Sequence, residues 1–217
     1  MAGLCCLFCV QCGHSSNDSG DKNALAAQTD VSGKRSTDGG PSTALCAGTS
    51  EEHLQRAYNL VNDIQLEQAI REFRCAFEQG QGSFEDRIEF IRTLYKLKRY
   101  DDVIDQCSYL LTRSEVEEKG KAWVVHSFLA DAFLESGRFD KALMENETAL
   151  SFDQSNSNSI QYLYRTAVSL DGLGRTVEAL RSYKDYLKRA RKDEPRTERL
   201  VHAEERIGVL EQELKHR

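Results

Sequence analysis

Proline is nearly absent. The 217 residues contain two, Pro41 and Pro195, so the long stretch between them carries no obligate helix-breaker. A β-rich fold of this size needs many turns, which Gly and Pro largely supply, and the scarcity of Pro argues against that class. No apolar run reaches the roughly 18 residues of a membrane-spanning helix. The apolar start, Met1 to Val10, is short and lacks a basic leading segment, so it does not read as a signal peptide. No GxGxxG or phosphate-loop pattern occurs, and "GQGSFED" reads as a turn between helices. The histidines His14, His53, His126, His202 and His216 lie in separate segments, with no partner at a fixed spacing. His126 reads as a packed or groove-facing side chain. The Asp101–Asp102 pair suits the first turn of a helix, where carboxylates meet the positive end of the dipole. No catalytic residue, metal site, cofactor or small-molecule substrate is therefore expected.

Seven cysteines make an odd number. Cys46, Cys75 and Cys107 are scattered, two of them inside helical patterns, which suits free thiols in a reducing compartment better than a disulfide framework. A cytoplasmic protein is the expectation, with membrane association through the start of the chain, and a nuclear location, left open. The formal charge of −6 argues against a surface devoted to nucleic acid.

Two kinds of sequence are present. Residues 13 to 50 are dominated by Ser, Thr, Gly, Asp and Asn, a composition with too little apolar surface to offset the entropy of ordering, and a disordered tail is expected over 1–50. From Ser50 onward apolar residues recur at three-and-four spacing. Examples are Leu54, Ala57 and Leu60, then Ala69, Phe73, Ala76 and Phe77, and later Val125, Leu129, Ala130 and Phe133. The junctions "DIQLEQAI", "LKRYDDVI", "SGRFDKAL" and "LGRTVEAL" align, with landmarks Leu66, Tyr100, Phe139 and Thr176 separated by 34, 39 and 37 residues. Three residues after each landmark stands a small side chain (Ala69, Val103, Ala142, Ala179) that lets two helices approach closely. Such a period implies an all-α solenoid in which each helix pair buries its neighbour's apolar face. About four pairs are expected over 51–193, then a capping helix over 194–217 with Leu200, Ala203, Ile207, Leu210 and Leu214 on its apolar face. Pro195 would sit in the first turn of that helix. A short dimerising coiled coil is the competing reading.

Residues 51 to 192 resemble the tetratricopeptide repeat family. The third unit carries Ala130, Phe133, Gly137, Phe139, Ala142, Ala149 and Leu150 at the family's signature positions, and the fourth carries Ala167, Leu170, Gly174, Ala179 and Tyr183. The first two units are degenerate, and the family's early Trp and closing Pro are absent throughout. Half-a-TPR and Sel1-like repeats share the helix-pair pattern and stay open as alternatives. The resemblance implies a right-handed solenoid whose concave groove, lined by the first helix of each pair, binds a partner peptide. Carried over by position, the groove residues are Arg92 and Tyr95, Ser127 and Asp131, then Tyr164 and Arg165. The family's clamp for acidic C-terminal peptides is matched only at Arg165; Ile88, Arg92, Phe128 and Gln161 stand where it uses Lys or Asn.

Two clusters stand outside the repeats. Cys5, Cys6, Cys9 and Cys12, beside Leu4, Leu7 and Phe8, would suit S-acylation and a membrane tether. "CVQCGH", with Cys6 and His14, offers a zinc-like spacing but no second, distant ligand pair. An unmodified leader is the third reading. The run Lys188, Arg189, Arg191 and Lys192 would suit a phosphate or nuclear-import patch, but cations also belong in a helix's last turn. The expected function is a non-catalytic adaptor for a protein partner, with nucleic acid disfavoured. The alternative is an accessory subunit of an RNA-handling or membrane-trafficking complex.

Overall fold

The computed structural model describes residues 46–113, 116, 120–153, 159–193 and 197–216. The expectations for residues 1–45, including the disordered tail and the chemistry of Cys5, Cys6, Cys9, Cys12 and His14, lie outside the described residues. Among those described there are nine helices and no strand: α1 (Ser50–Asn62), α2 (Leu66–Glu78), α3 (Phe84–Lys96), α4 (Tyr100–Leu111), α5 (Ala122–Glu135), α6 (Phe139–Phe152), α7 (Ser159–Gly172), α8 (Thr176–Asp193) and α9 (Glu198–Lys215). Each helix packs on the next in chain order, which makes the fold an all-α helix-pair solenoid. None of the helices is long and apolar enough to cross a membrane.

The four aligned landmarks, Leu66, Tyr100, Phe139 and Thr176, are the first residues of α2, α4, α6 and α8. The repeat reaches down to the backbone. Two residues before each landmark the chain enters the left-handed region, at Ile64 (φ 61°), Lys98 (57°), Gly137 (73°) and Gly174 (69°). That residue's N–H reaches back to Val61, Tyr95, Leu134 and Asp171 in turn, and the following N–H reaches Leu60, Leu94, Phe133 and Leu170, at 2.8–3.2 Å. Four Schellman turns therefore close the four first helices and reverse the chain. Glycine fills the left-handed position in the last two, while Ile64 and Lys98 carry its steric cost in the first two.

The small residues after each turn, Ala69, Val103, Ala142 and Ala179, are at most 1% exposed, which is what lets each second helix lie close on its partner. Phe73 sits at the centre of the first pairs, its ring centroid 5.7 Å from those of Tyr58 and Phe90. Two apolar clusters form. One runs through α1–α6, and the other joins α7–α9 around Tyr183, Tyr186, Leu200 and Leu210. The seam between them carries buried polar groups beside Leu143 of α6, which packs on the second cluster. Asn146 of α6, 1% exposed, donates to the Tyr162 carbonyl at 3.0 Å and to Thr166 Oγ1 at 2.9 Å.

Three expectations are corrected. Cys46 and Cys75 are not free thiols but a disulfide across 29 residues, and Cys107 alone is a buried thiol among the described residues. The pairing removes the ground for assigning a reducing compartment. Two of the histidines do have partners at a fixed spacing: His53 Nδ1 lies 2.7 Å from Glu72 and His126 Nδ1 lies 2.6 Å from Glu145, each 19 residues on. That is the step from a first helix to the facing turn of its second. Pro195 lies outside the described residues, and α9 starts beyond it, at Glu198, with the Thr197 hydroxyl as N-cap acceptor for Leu200. The last helix packs on α8 through Leu200, Ala203 and Leu210 and turns Glu205, Gly208 and Gln212 to solvent, as a cap does.

Candidate functional site

The first helices, α1, α3, α5 and α7, together with the cap α9, contribute most of the side-chain links from one repeat to the next. Tyr58 of α1 donates to Asp86 of α3 at 2.6 Å, and Lys121, at the start of α5, pairs with Glu85 of α3. Arg165 of α7 grips Asp131 of α5 through two N–H···O bonds of 2.6 Å. Arg206 of α9 repeats this on Asp171 of α7 at 2.7 and 2.8 Å. The backbones of α5 and α7 also approach each other directly, skipping α6. First helices thus form the inner, more closely spaced layer, and their shared face is the candidate binding surface.

The N-terminal end of that face holds a cavity of about 530 Å³. Tyr58 of α1, Phe84 and Ile88 of α3, and Trp123 and Val124 of α5 form its walls. Phe84 and Ile88 are buried, while Trp123 and Val124 remain half-buried. Two ion pairs, Glu85–Lys121 and Glu89–Arg92, edge the cavity, and the Lys121 ammonium lies 4.5 Å from the centre of the Phe84 ring. Asp86 stands behind Tyr58. Burial pushes its carboxyl upward, but hydrogen bonds from Tyr58 and Ser83 outweigh that and hold it below the ordinary carboxylate value. Burial, followed by the same contact with Asp86, raises the Tyr58 phenol far above its usual range.

Farther along, the face gathers Tyr95 of α3, Asp131 and Glu135 of α5, Tyr164 and Arg165 of α7, and Arg199 and His202 of α9. Burial, followed by the negative charges of Asp131 and Glu135, pushes the Tyr95 phenol well up. Tyr164 packs on Tyr186 at 5.1 Å between centroids, its hydroxyl 3.2 Å from His202 Nδ1, with the Arg199 guanidinium 5.4 Å from the ring centre.

The predicted groove residues fall into two groups. Tyr95, Asp131, Tyr164 and Arg165 come together in the second cluster, whereas Arg92 belongs to the cavity edge. Ser127 lies between, hydrogen-bonded to the Tyr162 hydroxyl. Arg165 is only 7% exposed, so its charge is spent on Asp131 and it serves as floor rather than as an open ligand contact. Sequence reasoning missed Trp123, Tyr58 and Arg199. Trp123 carried a signal, being the only tryptophan and on a first helix. Arg199 carried none, because it reaches the face only through the cap. Of the basic run, Lys188 and Arg189 are exposed on the last turns of α8, and the side chains of Arg191 and Lys192 lie outside the described residues. Among the described residues no three His, Cys, Asp or Glu side chains are placed to hold a metal ion.

With most ion pairs already closed, the face offers a ligand half-buried aromatic surface edged by fixed charges. That chemistry suits an extended chain held by side-chain anchors. A scan against models of known protein families finds no match, and a comparison with curated proteins finds none either.

Proposed function

We propose that this chain is a non-catalytic scaffold that holds a segment of a partner protein along the face of α1, α3, α5 and α7. The observation that carries the reading is the row of aromatic side chains on first helices, Trp123, Tyr95 and Tyr164, half-buried and edged by charges. Rings held this way present large contact area at little further loss of rotamer freedom. Their positions are fixed by packing below, so the partner bears most of the ordering cost. The resemblance to tetratricopeptide repeats, which use the same helices for a peptide groove, supports this choice. Because Arg165 is the floor of the face, the residues that would touch a partner are Arg92, Trp123, Tyr95, Tyr164 and Arg199.

A photo-cross-linking amino acid placed at Arg92 or Tyr164, with controls at Met144 and Val177 on second helices, tests the reading. Peptides selected from a random library on the whole protein should cross-link at the first pair of positions and not at the controls. Cross-linking confined to Met144 and Val177, both exposed, would move the binding surface to the other side of the solenoid and defeat the proposal.

A further inference from the structure

We infer that the Cys46–Cys75 disulfide is a redox-operated latch on α1, the helix that begins the stack. Closed, it pins the start of α1 to α2; opened by a dithiol, it lets α1 come away while α3–α9 stay folded. The inference goes beyond the scaffold reading and does not depend on it. α1 packs chiefly on α2, and no helix pair precedes it among the described residues. An end unit of a solenoid has one neighbour interface instead of two.

The apolar hold on α1 is small. Ala57 is its only fully buried apolar residue, and Leu54, Tyr58, Leu60 and Val61 are partly exposed. By contrast α3 buries Phe84, Ile88, Phe90, Ile91 and Leu94, and the cap at the other end buries Leu200, Ala203 and Leu210. Polar contacts stand in for burial on α1. Ser50 Oγ donates to the Ala76 carbonyl at 3.0 Å, and Glu72 of α2 meets His53 at 2.7 Å and Arg56 at 2.8 Å. One buried atom goes unmatched even there: His53 is 1% exposed, and its Nε2 has no hydrogen-bond partner among the described residues. The turn into α2 holds the β-branched Ile64 at φ 61°, an unfavourable conformation. Polar contacts that water can replace, and a strained turn, give a helix little resistance to local opening.

The disulfide closes the open end of this pair. α2 turns back along α1, so the residues before α1 meet the last turns of α2, at the end opposite Ile64. Beside the bond, the Ala47 and Gly48 carbonyls accept from Arg56 at 3.4 Å and from Gln79 at 3.2 Å, both long. The Thr49–Glu52 capping box lies within α1 and moves with it. Cys46 is partly exposed and Cys75 only 8%, so an incoming thiolate meets Cys46 Sγ first. The Glu78 carboxylate, 3.8 Å from that sulfur, disfavours a thiolate on Cys46 and makes Cys75 the leaving group. One sulfur of the dithiol therefore bonds to Cys46, and Cys75 departs as a thiolate and takes up a proton. The second sulfur displaces Cys46, which is protonated in turn, and the dithiol becomes a disulfide as two electrons pass to the protein. Once free, α1 carries Tyr58 away from Asp86 and removes one wall of the cavity on the first-helix face.

Hydrogen exchange read by mass spectrometry tests the latch, on the full chain with Cys5, Cys6, Cys9 and Cys12 replaced by serine. The oxidised protein is compared with protein treated with dithiothreitol in the absence of denaturant. Alkylation after unfolding should find Cys46 and Cys75 blocked in the first sample and both labelled in the second. On reduction the α1 amides should exchange at least about tenfold faster, and at most about 400-fold, the full loop-closure effect of the bond. A smaller rise is expected in α2 and none in α3–α9. Reoxidation should restore the first pattern, and Cys46→Ser should show the reduced pattern with or without dithiothreitol. Unchanged exchange in α1 on reduction would overturn the inference, as would an equal rise across all helices, which would make the bond a staple of the whole fold. A bridge that never forms, or that resists dithiothreitol until denaturant is added, would overturn it as well.

Discussion

Replacing Asp131 by alanine should destabilise the protein by about 2–3 kcal/mol. Arg165 is 7% exposed and its guanidinium makes two bonds of 2.6 Å to the Asp131 carboxylate. At about 4 Å and an effective dielectric near 20, the gross attraction is roughly 4 kcal/mol. Most of that is offset by taking both charges from water, so the intact pair contributes little net. Truncating Asp131 is different, because it strands a buried cation. The cost of 3–5 kcal/mol typical of a fully buried pair is moderated here because the Asp131 side chain is 22% exposed and water can enter. Replacing Arg165 by methionine removes the charge itself and should cost only about 1 kcal/mol. Thermal and urea unfolding of the two single variants and the double variant form a cycle. At this chain length 2–3 kcal/mol corresponds to roughly 4–12 °C in midpoint. If Asp131→Ala costs less than about 0.5 kcal/mol, or Arg165→Met costs more than Asp131→Ala, the stranded-charge argument is wrong.

Other perturbations follow from single observations. Ile64 is β-branched, 80% exposed and held at φ 61°, so Ile64→Gly should stabilise the protein by about 1 kcal/mol, read as a higher urea midpoint. Gly172→Ala places a Cβ 2.5 Å from ring atoms of Phe139 and should cost about 1–2 kcal/mol despite better helix propensity; a gain on melting would refute it. Cys46→Ser opens a link across 29 residues, with an expected loss of about 3.6 kcal/mol by loop-closure entropy; hydrogen exchange should show that loss in α1 and α2. Glu72 is held below its ordinary value of 4.5, hydrogen bonds from His53 and Arg56 outweighing the upward push of burial, and Asp86 is held below 3.8. For both groups the unfolded chain takes up the proton first, so their stabilisation is present above pH 4.5 and is lost as the pH falls through the lower folded values. A Glu72→Gln/Asp86→Asn variant should lose stability less steeply below pH 4.5 than the parent.

The repeat was legible because it is written twice, in apolar spacing and in turn chemistry. Leu66, Tyr100, Phe139 and Thr176 mark helix starts, and Ala69, Val103, Ala142 and Ala179 mark the closest approach of each pair. What escaped the sequence depends on distances between repeats. Asp131 and Arg165 are 34 residues apart, and no local pattern tells a groove-facing arginine from one that ties two repeats together. The Cys46–Cys75 pair escaped for another reason. Cys46 precedes the first helix in a polar stretch, and only the turn-back of α2 brings Cys75 beside it. Trp123 was visible as a lone tryptophan, but its role needed α1 and α3 as the other walls of its cavity.

The seam between the two clusters gives the solenoid a division that its even repeat spacing hides. Stability in such a stack is close to a sum of intrinsic repeat energies and nearest-neighbour interfaces. Between the third and fourth pairs the two buried cores stay separate; Leu143 of α6 packs on the second core, and beside it the interface carries the Asn146 amide, the Tyr162 hydroxyl near Asp153 at 3.3 Å, and the Asp131–Arg165 pair. Bonds of this kind are directional, whereas apolar packing tolerates sliding. They fix how α7 sits beside α5 more than how tightly. That orientation decides the distance between Tyr95 on one block and Tyr164 on the other, and hence the shape of the candidate face at its middle. A partner chain spanning both tyrosines would press on the seam rather than on either core. The buried Asn146 and the spent charge of Arg165 therefore have a physical reason to stand where leucine and methionine would pack more simply.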